Sequence, residues 1–199
     1  MNRIAGAMCM TVVAGFLAGV PSLVSAIDIQ PTEAQIRAAI EQGRDAATQH
    51  RPPDAFYVRF GATEDLRPSG FLITKLGALS VMATHMALRG LEPSDADIAQ
   101  VLDAKTMLVS ATIFGNMPNF AVDSYMVLDQ AGKTIKPVTV RYDSRANRSS
   151  AWPDAPRFKA KVVASFNYQD FDPVAQTTVT IFPANGGEVA FPLDFSQIK

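Results

Sequence analysis

Cysteine is almost absent from this chain: Cys9 is the only one, and it stands in the apolar N-terminal stretch. From Ile27 onward no disulfide and no thiolate metal site is possible, so stability there must come from apolar burial and hydrogen bonding. Histidine is nearly as scarce, with His50 and His85 alone. They form no H-x-x-x-H pair and have no carboxylate at ligand spacing, which argues against a zinc centre needing three or four convergent ligands. No serine occupies a G-x-S-x-G turn, the common mark of an activated nucleophile. An excess of charge is missing as well. Eighteen basic against nineteen acidic side chains give a net charge of −1, without the basic footprint that nucleic acid would require. No internal repeat and no cofactor fingerprint is found, so neither nucleic acid nor a cofactor is expected as a partner.

What is present begins with Met1 to Ala26. Arg3 supplies a positive start, Ile4 to Val20 an apolar run, and Val24-Ser25-Ala26 a small-x-small cleavage site. That layout predicts a secretory signal peptide over residues 1–26, with an uncleaved anchor as the alternative. Too few residues precede Cys9 for it to be a lipid-attachment cysteine. The remaining chain is then periplasmic or secreted and meets the membrane only during export.

From Ile27 to about residue 105 the hydrophobic period is helical. Thr32 and Gln35 have the spacing of a reciprocal cap, and Ile36, Ala39, Ile40 and Ala47 form the apolar stripe of a helix running to about Thr48. Arg51-Pro52-Pro53-Asp54 stops it. Ala55 to Gly61 alternates as a short strand with no obvious partner. Ser69 is read as the cap of a second helix, from Phe71 to about Arg89, apolar on most of its circumference and therefore buried, with His85 inside it. Ser94 caps a third, with Asp95 and Asp97 in its first turn and Ile98, Val101 and Leu102 on its apolar face.

Past Ala104 the period changes to two. Thr106 to Phe114 and Phe120 to Leu128 read as the arms of a hairpin around Gly115-Asn116-Met117-Pro118-Asn119. Thr134 to Asp143 reads as one strand, with Pro137 marking an edge or a bulge. Arg157 to Tyr168 gives the clearest alternation. A last hairpin joins Thr177–Phe182 to Glu188–Phe195. About six strands with turn signals roughly every 8–12 residues have the spacing of a β-sandwich. The fold class expected is α+β: a helical subdomain over 27–105, of about three helices, packed on an antiparallel immunoglobulin-like sandwich over 106–199, with a small barrel as the other closure.

The sequence marks few candidates for function. The aperiodic stretch Ser144 to Pro156 carries Arg145, Arg148, the only tryptophan, Trp152, and Asp154. Arginine and tryptophan are enriched at binding hot spots, and loops on rigid scaffolds often carry recognition, so these four form the candidate binding residues. The competing reading folds Trp152 back as a lid on the core. Asn147-Arg148-Ser149 also matches a glycosylation acceptor, relevant only in a eukaryotic secretory pathway. Asp170 and Asp172 fit either a calcium loop or plain turn chemistry, turn chemistry being favoured. Phe114, Met117 and Phe120 fit a ligand-contacting lip or, more simply, a plug at the seam between helices and strands, with Phe114 and Phe120 buried by both.

No acid, base, nucleophile and metal set can be assembled, so catalysis is not the first expectation. The leading functional reading is an exported, non-catalytic binding or structural module of the cell envelope, with an envelope protein as partner. The alternatives are a periplasmic hydrolase whose site gathers scattered residues such as His85 and Asp170, and a carrier of a small apolar ligand with its pocket between the second helix and the sandwich.

Overall fold

A computed structural model of the chain describes residues 27–198; the signal-peptide expectation therefore lies outside the described residues. The fold mixes three α-helices with two antiparallel sheets. In chain order the elements are α1 (Glu33–Thr48), β1 (Val58–Gly61), β2 (Ser69–Ile73), α2 (Lys75–Ala87), α3 (Asp95–Leu102), β3 (Thr106–Gly115), β4 (Tyr125–Gln130), β5 (Lys133–Ile135), β6 (Thr139–Tyr142), β7 (Asn147–Arg148), β8 (Phe158–Asn167), β9 (Gln176–Phe182) and β10 (Val189–Asp194). The first sheet runs β1-β2-β3-β8-β6, with β7 also paired to β8, and the second runs β10-β9-β4-β5. Among the described residues no helix is long and apolar enough to cross a membrane.

Alternation dictates the core. On β8, Ala160, Val162, Ala164 and Phe166 are buried while Lys159 and Lys161 are exposed. They share one apolar cluster with Met107, Val109 and Ile113 of β3 and with Met126, Leu128, Val179 and Ile181 of the second sheet. No residue of the three helices belongs to that cluster. The helices are held by their own contacts. α1 and α2 meet through small residues, Ala39, Gly43 and Ala47 against Ser80, Ala83 and Thr84, and two buried hydroxyls cross the seam: Ser80 donates to the Ala39 carbonyl at 2.9 Å and Thr84 to the Gly43 carbonyl at 3.0 Å. The caps of α1 and α3 are both reciprocal, Thr32 with Gln35 and Ser94 with Asp97.

Several elements differ from the sequence reading. Phe71-Leu72-Ile73 is strand, not helix: β2 pairs along β3, Leu72 opposite Val109, and the cap of α2 is Thr74 rather than Ser69. A short apolar run has no period of its own, and here a neighbouring strand decides its state. Because β2 pairs with β3, the first sheet draws strands from both sides of the change in periodicity near residue 105. β3 and β4 do not form a hairpin, since they lie in different sheets, and the connection between them turns Phe120 and Ala121 into the cluster. Gly115 permits that turn: a Cβ there would sit 2.4 Å from Cγ of Phe120. Phe120 is thus buried between sheets rather than against the helices, and Phe114 is half-buried. The expected strand from Thr134 to Asp143 is two strands. Ile135 ends in the second sheet's core and Thr139 starts in the first sheet, with Pro137, unable to donate to a ladder, at the crossing.

Candidate functional site

Where β2 ends, β3 begins and β8 gives way to Tyr168, α2 and α3 flank the sheet and leave an open-mouthed depression between them, with Gln100, Ala104 and Leu108 exposed at its rim. The result is a cavity of about 410 Å³. Its apolar wall comes from Ala78 and Met82 on α2, Val101 on α3, and the cross-strand pair Ile73 and Leu108. Its polar residues make up the other half of the lining: Thr74, Lys75, Asp97, Gln100, Thr106 and Tyr168. Local bonds place several of them. Thr74 caps α2, accepting from the Gly77 N–H at 3.0 Å, which fixes Lys75 as the first helical residue. Tyr168 is pinned at the end of β8 by its N–H, which donates to the Lys105 carbonyl at 3.0 Å.

Lys75 is the chemical centre of this cavity. It is 9% exposed, and its ammonium donates to the Leu102 carbonyl at 2.5 Å. A cation at the start of α2 opposes that helix's dipole, but the same cation at the C-terminal end of α3 is favoured, so the bond ties the two helices together. The ammonium also lies 5.3 Å from the centre of the Tyr168 ring. Burial and then the nearby Lys105 lower the Lys75 pKa, with Asp103 opposing them. Burial alone pushes the Tyr168 phenol up to about 12. Asp97, on the opposite wall, accepts from both the hydroxyl and the N–H of Ser94, and these bonds hold its carboxyl below the ordinary range. Such a space has the mixed lining that suits a small amphipathic molecule, and among the described residues it gathers no nucleophile–base–orienter chain.

The four candidates of the Ser144–Pro156 stretch are only partly gathered. Arg148 and Trp152 meet, the guanidinium standing 4.6 Å over the indole, and Trp152 packs edge-on to Phe158 at 5.3 Å while staying 41% exposed. Arg145 and Asp154 are exposed and enter no ion pair among the described residues. The loop itself is braced by its backbone. Ser149 N–H donates to the Arg157 carbonyl at 2.9 Å, its hydroxyl bonds the Pro156 carbonyl, and Ser150 reaches Asp65 at 2.5 Å.

The remaining sequence candidates separate. His85 is exposed on α2 rather than buried, and neither histidine pairs with an acid among the described residues. The Asp172 carboxylate accepts from the Val174 N–H at 3.0 Å, the turn bond that aspartate makes two residues on, and the Asp170 carbonyl accepts from Lys133. Among the described residues no group of three or more His, Cys, Asp or Glu side chains is placed to hold a metal. The sequence reading offered a pocket between the second helix and the sandwich only as part of an alternative function and named none of its lining, because Lys75, Val101, Leu108 and Tyr168 come from four separate segments. The one available signal was Lys75 interrupting an apolar run.

No protein-family model matches the chain, and no curated protein is significantly similar to it.

Proposed function

We propose that this chain is an exported, non-catalytic module of the cell envelope that binds a small amphipathic ligand between α2, α3 and the β3 end of the first sheet. The observation that carries the reading is the cavity of about 410 Å³, within the roughly 300–1,000 Å³ of small-ligand sites. Its make-up supports it too, apolar side chains of Ile73, Ala78, Met82, Val101 and Leu108 facing polar groups that include Lys75 and Tyr168. In this reading the two sheets make an immunoglobulin-like sandwich and the helices form a cap beside it. Export follows from the pattern of residues 1–26, and the envelope is where such a chain would meet amphiphiles.

Filling the cavity tests this. Decanol is titrated by calorimetry into the wild type and into Met82→Trp, whose indole occupies the space. Saturable binding to the wild type that weakens at least about tenfold in the variant, a loss of roughly 1.4 kcal/mol, supports the proposal. No binding to the wild type, or equal binding to both proteins, refutes it.

A second reading, a protein contact, is favoured by one specific observation: the exposed stack of Arg148 on Trp152. It predicts an envelope protein that Trp152→Ala no longer captures while decanol binding persists.

A further inference from the structure

The cavity contains a cation that has no acidic partner. Lys75 is buried along its stem with its ammonium part-buried, enters no ion pair among the described residues, and spends one of its three N–H donors on the Leu102 carbonyl. Buried ammonium groups are costly unless a counter-charge meets them. The charged groups around it do not supply one. Lys105, just after α3, repels it, and Asp103 at the end of α3 attracts it without forming an ion pair. Asp97 on the cavity wall is committed to Ser94, at 2.6 Å from its hydroxyl and 2.9 Å from its N–H. Tyr168 is neutral and offers the ring beside the ammonium.

An anion entering from the apolar side would complete this arrangement. We propose that the cavity takes a carboxylate-headed amphiphile, the carboxylate pairing with Lys75 and the alkyl chain lying against Met82, Val101 and Leu108. A single ammonium matches a single negative charge. A phosphate head, with more charge and more acceptor oxygens, would need further donors and would be repelled by Asp97 more strongly than a singly charged carboxylate. The proposal rests on the ligand-binding reading above and narrows it to one head group.

Three probes with the same chain separate the two ideas: decanoate, decanol and decyltrimethylammonium, titrated by calorimetry at neutral pH. The expected order is decanoate at least roughly tenfold tighter than decanol, the size of one charge-assisted contact, with the cationic probe weakest. Lys75→Met is expected to bring decanoate and decanol within about threefold of each other, while Lys75→Arg retains the preference. Decanol binding as tightly as decanoate, or a preference that survives Lys75→Met, overturns the head-group assignment and leaves the ligand-binding reading standing. Failure of all three probes to bind removes both. Because Lys75 also ties α2 to α3, the cationic probe provides a test that needs no variant: if it binds the wild type as well as decanoate does, the proposal falls.

Discussion

Gly43 is the position where a single methyl group should report on how α1 is held. A Cβ there would lie 2.4 Å from the Ser80 carbonyl oxygen and 2.7 Å from the Ala83 Cβ, and neither neighbour is the free end of a flexible side chain. In an isolated helix Gly→Ala gains about 1 kcal/mol. Here overpacking costs about 2 kcal/mol. Pushing α1 away from α2 also stretches the hydroxyl bonds from Thr84 to Gly43 and from Ser80 to Ala39, each worth about 1 kcal/mol. The losses exceed the gain by about 3 kcal/mol, which for a chain of this length lowers Tm by roughly 6–12 °C. Thermal unfolding followed by far-UV circular dichroism measures it, with exposed Gln42→Ala on the same helix as the control that should barely move. A Gly43→Ala protein as stable as the wild type, or more so, would mean that the helices are not in this close crossing.

Trp152→Ala should cost about 1–2 kcal/mol by calorimetry, the worth of one edge-on ring contact and one half-exposed cation–π pair; a loss above about 4 kcal/mol would instead mark the ring as a lid on the core. Tyr168 makes a prediction about alkaline pH. Its phenol is pushed up to about 12 in the folded chain from an ordinary value of 10.0, so through that window the unfolded chain has released a proton that the folded chain keeps. Stability then falls as pH rises, by roughly 2–3 kcal/mol at the upper end. The lowered pKa of Lys75 acts with the opposite sign, so the informative quantity is the difference between wild type and Tyr168→Phe at each pH in urea unfolding. The difference should shrink the wild type's advantage steadily above pH 10; a constant offset would contradict the burial of the phenol.

Much of the local structure was legible in the residues. Thr32 with Gln35 and Ser94 with Asp97 announced two helix starts, because a capping pair is a short-range bond that needs no partner element. The alternation of Ala160, Val162, Ala164 and Phe166 announced β8 and its buried face for a similar reason, since a strand's two sides are set by its own pleat. The Arg148–Trp152 contact lies within a stretch the sequence had singled out. What the chain's own period could not supply was pairing. Phe71-Leu72-Ile73 became a strand only because β3 lay alongside it, and Thr134 to Asp143 divided at Pro137 because two different sheets claimed its ends. The same holds for the cavity. Lys75 was visible as an interruption in an apolar run, but its meaning depends on the Leu102 carbonyl, the Tyr168 ring and the lack of an ion-pair partner among the described residues, all fixed by segments distant in sequence. Composition and periodicity determined the types of the strongly patterned elements, α1, α3 and β8 among them, and a chain built without cysteine cross-links after residue 26. The choice of neighbours, and with it the surroundings of Lys75, was decided only in three dimensions, where a residue's environment comes from elements its own sequence context does not contain.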